Sequence, residues 1–382
     1  MPIDESCWTI DPQTGFILQP DPIADLRTVE TGLSAEVVDE LHELATSIPT
    51  LITDGELRRA VDEAGKHSMG HAIELGDGRV LERLFQIYAH LANGYVWCEQ
   101  QNPTSHIPAS VAVPLVELAN ALGRPPIIPY VSTSIANFKR IDPNGDIVVE
   151  NLRCIQKMID TMDETWFHMT HVQIEAEAGP AIAGCSLAST AAQLGDIDTV
   201  ATELATVPAA IDQMTATFKR ITERCRPEYY FRTLRPYLFG FTDVVYEGVE
   251  AFDGEPQTIN GQTGAQSSVI PAIRTLLGVE HNEGGLTSYL VDMKQHMPRP
   301  HRDMLASIDS TAIRGAVVAA NKTELTEAYN ACLESVLSFR SLHLNMARAY
   351  IASKVDDPTG TGGTNFMHWL TLLRDETQEQ MI

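Results

Sequence analysis

The stretch TELTEAYNACLESVLSFRSLHLNMARAYIASK, residues 323–354, decides how the rest of the chain is read. Within it Leu325, Tyr329, Cys332, Val336, Phe339, His343, Met346 and Tyr350 recur at alternating steps of four and three. That spacing puts all eight on one stripe of a long α-helix, so His343 points where a core should be. A buried imidazole has to find a partner, because leaving it unsatisfied costs about 1–3 kcal/mol. Two partners suit it: a neighbouring carbonyl, as for an ordinary core histidine, or a metal or haem iron. Spacing does not choose between them. Arg340, one turn back, has two readings as well: a cation that meets a haem propionate, or a plain surface arginine.

Helical spacing extends outward from this element in both directions. The segments 159–178, 208–226, 266–277, 285–296 and 364–379 read as helices, as do 35–48, 55–65, 79–101 and 110–122. Ser34 and Asp54 precede two of these as N-caps, while Gly123 followed by Pro125 and Pro126 closes another. Residues 1–33, rich in Pro, Asp and Gly, read as an extended leader on the surface. Alternating β-branched runs are nearly absent, and IVVEN at 147–151 is the best candidate strand. The expected fold is all-α, with a small N-terminal helical domain over 1–125 and a larger one over 126–382. Two Gly-rich segments interrupt the helices, GQTGAQSS at 261–268 and GTGGT at 360–364.

With 27 basic and 51 acidic residues, the chain carries a formal charge of −24. That excess repels phosphate backbones and anionic lipid, which argues against nucleic acid and membrane as partners. The six cysteines form no CxxC pair and no CxxCH haem-attachment motif, so they read as reduced thiols. The first residues lack a basic region followed by an apolar run, and no apolar stretch is long enough for a membrane span. The expected setting is the cytoplasm, with a monomer slightly favoured.

Seven stretches bear a family resemblance: VAVPLVELANALGRPPIIPY (111–130), IANFKRIDPN (135–144), RTLRPYLFGF (232–241), AQSSV (265–269), DMKQHMPRPHRDML (292–305), FRSLHLNMARAYI (339–351) and GTGGTNFMHWL (360–370). In this order, through nearly the whole chain, they resemble the indoleamine 2,3-dioxygenase family. The resemblance implies a large helical domain that binds haem b non-covalently, capped by a small N-terminal helical domain. It implies His343 as the axial ligand of the iron and Arg340 as the arginine on the propionate side. It implies Arg235 for the substrate carboxylate, preceded by the aromatics Tyr230 and Phe231. Tyr130 and Phe167 fall on pocket aromatics, and Thr361 on a flexible threonine near the substrate ammonium, with Thr263 and Gly264 in the loop that grips the amino end. An Arg within the apolar run around 230–238 needs a partner if buried, and a bidentate guanidinium suits an amino-acid carboxylate.

Several positions depart from the family pattern. Where animal members usually carry a serine above the haem, this chain has His171, in WFHMTHVQIE. A distal histidine resembles instead the tryptophan 2,3-dioxygenases, where it contacts the indole N–H; it also suits acid or base work near neutral pH. His168, His171 and Glu175 share a helical face as H-x-x-H-x-x-x-E, a weaker candidate for a non-haem metal site. The loop before GTGGT is cut to SKVDDPT, a shorter lid, and Thr133 and residues 262–264 also differ. The expected function is cleavage of the indole C2–C3 bond of L-tryptophan or a derivative by O2, giving an N-formylkynurenine-type product. Two alternatives stand beside it: a haem-dependent monooxygenase or rearranging enzyme on a tryptophan-like substrate, and a haem-binding sensor or carrier with little turnover.

Overall fold

The structure, a computed structural model, describes residues 2–281, 285–355, 360–361 and 366–382. Helices dominate, the fold is all-α, and the element that decided the reading is a helix over Thr323–Tyr350. Among the described residues no helix is long and apolar enough to cross a membrane. All six cysteines are free, and five of them are buried.

The buried apolar side chains form two clusters. One gathers around the helix Gly78–Trp97, which is covered by the helices Ala35–Asp54, Leu57–Glu63 and Ala109–Leu122. The Gly78–Trp97 helix is buried nearly all round, so its polar side chains must be satisfied inside the protein. Gln86 donates to the carbonyls of Ser132 (2.8 Å) and Ala136 (3.3 Å), and Asn93 donates to those of Tyr237 (3.1 Å) and Phe239 (3.2 Å). These bonds tie the first cluster to the two segments that carry Tyr130 and Tyr230. Tyr237, Phe241, Val244 and Tyr246, far along the chain, complete this first core.

The second cluster packs Met162–Glu177, Gly179–Leu194, Ile197–Leu204 and Val207–Lys219 against the Thr323–Tyr350 helix. The first half of the leader belongs to it, while Ile23 and Leu26 join the first cluster. Trp8, Phe16, Ile17 and Leu18 are almost fully buried, so 1–33 is not the surface strap expected from its composition. Trp8 Nε1 donates to Glu82 at 3.2 Å, and the Trp8 and Phe16 rings pack on His301 with centroids 5.1 and 4.6 Å apart. Gly179 lets the leader lie against a helix start: a Cβ there would sit 2.4 Å from the Gln13 backbone. The MPRPHR segment proves to be a clamp. Arg299 donates to the Ala121 carbonyl (3.1 Å) and Arg302 to that of Gly123 (2.7 Å), satisfying the orphan C-terminal groups of the Ala109–Leu122 helix.

IVVEN at 147–151 is not a strand but a bend leading into a 3₁₀ turn over Val149–Asn151. Side chains take the backbone groups a ladder would need: the Val149 N–H donates to Gln173 Oε1 (2.9 Å), and Asn151 Nδ2 bonds the carbonyls of Asp142 and Asp146 (both 3.0 Å). The strands lie elsewhere. Phe138–Arg140 pairs antiparallel with Leu152–Cys154, and Phe241–Tyr246 runs between parallel His106–Ile107 and antiparallel Gln257–Ile259. The helices Gly179–Leu194, Ile197–Leu204, Arg299–Ser307 and Ala312–Ala320 were not read from the sequence. The first is built largely of Ala, Ser, Gly and Thr, which show no bulky apolar period.

Candidate functional site: an apolar cavity with a cationic end

A cavity of about 310 Å³ lies between the Met162–Glu177 and Thr323–Tyr350 helices, the loop 261–268, and parts of the Val207–Lys219, Val269–Leu276 and Phe366–Glu379 helices. On the first of these, Phe167, His171, Ile174 and Glu175 face it; on the second, Phe339, Arg340, His343, Met346, Ala347 and Tyr350. Recurrence at three and four residues is what turns each set to one side. Thr161 caps the first helix by accepting from the Glu164 N–H, which fixes its register. The Tyr350 hydroxyl pins the end of the second by donating to the Cys225 carbonyl (2.6 Å).

His343 makes no hydrogen bond among the described residues; its ring lies 5.7 Å from that of Phe218, which stacks at 5.4 Å on Phe339. Burial, with His171 and Arg340 near by, pushes its pKa down to about 4, so the imidazole is neutral and has a lone pair available at pH 7. The core-histidine reading required a carbonyl partner, and none is present among the described residues. His171 is different. Its Nδ1 lies 2.7 Å from the Phe167 carbonyl, which can only accept, so Nδ1 carries the proton. Burial lowers its pKa, and the neutral ring is therefore left with Nε2 as an acceptor. His168 is buried and does not line the cavity. Among the described residues no group of three His, Cys, Asp or Glu could hold a metal ion, so the H-x-x-H-x-x-x-E pattern assembles no such site.

One turn beyond His171, Glu175 Oε1 accepts from the hydroxyls of Tyr130 (3.0 Å) and Ser267 (2.5 Å). Its other oxygen is buried without a partner, and burial raises the carboxyl pKa to about 7. Ser267, together with Gln262 and Gln266, anchors the 261–268 loop. Gln266 accepts from the Tyr130 N–H (2.8 Å), and Gln262 donates to Thr133 Oγ1 (3.2 Å). The two positions that depart from the animal pattern, 133 and 262, are thus bonded to each other. Thr361 Oγ1 donates to the Gln262 carbonyl at 2.5 Å and joins the same wall. Residues 362–364 of GTGGT, and residues 356–359 of the shortened loop, lie outside the described residues.

Tyr130, Phe167, His171, Tyr230, Thr263, Gly264, Arg340, His343 and Thr361 therefore come together around one space. Phe231 and Arg235 are not among the residues that line it. Arg235 is buried, with its guanidinium over the Phe231 ring at 5.4 Å and the Phe239 ring at 4.9 Å. The chain there opens into a π-helical turn over Tyr230–Leu234 before Pro236, which has no N–H to continue an α-helix. Sequence reasoning missed Ser267, Arg274, His281 and Trp369 as cavity residues. For Arg274 there was a signal, an arginine inside the apolar run VIPAIRTLLGV.

The far end of the cavity is cationic. Arg340 donates from Nη1 to the Leu373 carbonyl, and its Nη2 lies 3.4 Å from His281 Nε2. The other nitrogen of His281 lies 2.7 Å from Glu376 Oε2. Burial and the neighbouring Arg274 lower the Arg340 pKa to about 9. A neutral imidazole unbonded among the described residues, apolar walls, a buried Arg340 and a half-buried Arg274 suit a flat, apolar iron porphyrin with carboxylates on one edge. The residues present fit haem.

The sequence comparisons agree with this class of site. The model of the indoleamine 2,3-dioxygenase family matches residues 4–380. Indoleamine 2,3-dioxygenase 1 of Rattus norvegicus is 30% identical, covering 98% of this chain and 94% of the relative. A 6-hydroxytryptophan 2,3-dioxygenase of Fusarium equiseti is 28% identical over 96% of this chain and 95% of its own length. A myoglobin of Haliotis madaka is 26% identical, with 99% and 98% covered. The chain belongs to the indoleamine 2,3-dioxygenase family. As in that family, it is a haem-dependent oxidoreductase, and the haem is held non-covalently.

Proposed function

We propose that this protein cleaves the C2–C3 bond of an indole with both atoms of O2, acting on L-tryptophan or a ring-substituted tryptophan to give an N-formylkynurenine-type product. The observation that carries the reading is the pair of imidazoles on one apolar cavity: His343 with no hydrogen-bond partner among the described residues, and His171 with an acceptor nitrogen left over. In this reading His343 would hold the haem iron and Arg340 would meet a propionate. Bound haem supplies the iron centre that binds O2 and carries the redox chemistry of its insertion. His171 Nε2 accepts the indole N–H and so fixes which edge of the ring is presented. Phe167, Tyr230 and Tyr130 hold the flat ring, and the apolar walls exclude water. Arg235, which the family resemblance assigns to the substrate carboxylate, stands outside the cavity lining with the Phe231 and Phe239 rings against its guanidinium, so its role is what the substitution below tests; Thr263, Gly264 and Thr361 hold the amino end. The helices of 1–125 form the cap.

The hydroxytryptophan named for the Fusarium relative supports including substituted indoles. The myoglobin relative supports a second reading, reversible ligand binding without turnover. The test is to reconstitute the protein with haem and supply L-tryptophan, reductant and O2. A product heavier by two oxygen atoms is expected. A gain of one oxygen would indicate monooxygenation, and a haem spectrum with no substrate-induced shift and no product would indicate the carrier. Replacing Arg235 by Ala is expected to lower kcat/KM for tryptophan by roughly 10- to 100-fold. The loss should be much smaller for an indole without a carboxylate; equal losses would make Arg235 structural.

A further inference from the structure

The cationic end of the cavity holds more charge than the protein neutralises. Arg274, on the Val269–Leu276 helix, lines the cavity together with Arg340 and His281. One of its N–H groups is spent on the Val279 carbonyl (3.1 Å), which holds the guanidinium against the end of its own helix. The others make no hydrogen bond among the described residues. Burial depresses its pKa; burial also depresses those of Arg340, His281 and Lys294, and the Arg274 charge adds to each. Against these stands, among the described residues, the carboxylate of Glu376, already paired with His281. Glu376 faces His281 Nδ1, which therefore carries the proton and leaves Nε2 to accept from Arg340. Glu376 thus serves Arg340 through the imidazole, and no acid forms an ion pair with Arg274 among the described residues.

Two guanidiniums facing one cavity, with a single relayed carboxylate between them among the described residues, offer a site for an anion. Arg340 lies one turn before His343 on the same helix, so a group ligated by His343 that carries two carboxylates on one edge would present them here. We infer that Arg274 is a second carboxylate anchor for the haem, beside Arg340, so that the two propionates are held by two separate arginines. The inference rests on the haem reading above. It concerns a residue that the sequence did not mark as part of the site.

The test measures haem loss from reconstituted protein to an excess of a haem-scavenging apoprotein, for wild type, Arg274→Gln and Arg274→Lys. The Gln variant should lose haem roughly 10- to 100-fold faster, the scale of one charged hydrogen-bonded contact, with the Lys variant between. Repeating the measurement with haem dimethyl ester, which has no free carboxylates, should abolish the differences. Without haem, the Gln variant should melt no lower than wild type, because a half-buried cation with no ion pair among the described residues has been removed. Equal loss rates with ordinary haem, or differences that persist with the ester, would overturn the inference. So would a raised KM for tryptophan with unchanged haem loss, which would assign Arg274 to the substrate's carboxylate. If wild-type apoprotein takes up no haem at all, the functional reading itself fails, a result distinct from any of these.

Discussion

Arg124 and Arg340 are both buried arginines, yet their surroundings are opposite. Arg124 forms a two-pronged pair with Glu82, both oxygens of that carboxylate are engaged, and Trp8 adds a third donor. The pair is almost wholly buried, and the Phe85 ring lies 5.3 Å from the guanidinium. Arg340 has a carbonyl, an imidazole and a second arginine for company. The first site is neutralised by the chain's own carboxylate, with only Arg124 Nε left unbonded among the described residues. The second carries more positive than negative charge among the described residues. Burying a charge without a counter-charge is costly, so where such arginines face a cavity an anion is favoured there; Arg83, buried without an ion pair among the described residues, faces no such space.

That contrast is open to direct attack. Replacing Arg124 by Ala strands the Glu82 carboxylate and should cost about 3–5 kcal/mol of folding stability, with the spectrum of the folded haem protein unchanged. Chemical denaturation of the haem-free protein measures it; a loss under 1 kcal/mol would mean that the pair is not a closed structural unit. Arg340→Ala should behave in the opposite sense. The haem-free protein should melt near the wild-type temperature, while haem is lost roughly 10- to 100-fold faster. If the haem-free protein instead unfolds as readily as the Arg124 variant, the distinction between the two arginines collapses.

His171 sharpens the comparison at the substrate end. His171→Ala should keep its haem and lose roughly 10- to 100-fold in turnover, the range for one hydrogen bond of about 1–3 kcal/mol. A tryptophan methylated on the indole nitrogen should be a poor wild-type substrate and should narrow the gap between the two proteins. Full activity in the variant would remove His171 from the site.

Glu175 gives the effect with the clearest sign. Its pKa is raised from 4.5 to about 7, so the folded protein keeps a proton that the unfolded chain has already released. Its contribution to stability therefore falls as pH rises between about 4.5 and 7, by roughly 1 kcal/mol per pH unit. A glutamine there cannot ionise. Glu175→Gln should accordingly gain melting temperature relative to wild type from pH 5 to pH 8, and a constant difference would contradict the assignment.

The sequence showed most plainly what is periodic. Eight residues at steps of three and four placed His343, and the same rule turned Phe167, His171 and Glu175 to one face. It could not show what depends on long-range contact. The leader looked polar because its buried residues, Trp8 and Phe16–Leu18, are interspersed among turn residues, and their partners Glu82 and His301 lie far away in the chain. The Gly179–Leu194 helix escaped because small side chains pack closely without a bulky stripe. Arg235 read as a cavity residue because its neighbours in the sequence are aromatic; in the structure two of those rings cover it. Arg274 went unnoticed because its meaning lies in Arg340, more than sixty residues later in the chain and beside it only after folding.

The central claim is that His343 holds the haem. Wild type and His343→Ala, each refolded or reconstituted with haem, are to be compared by absorption before and after adding L-tryptophan. Wild type should show a Soret band that shifts with the substrate, and the variant should show none until imidazole is supplied. An unchanged haem content and spectrum in His343→Ala would contradict the account.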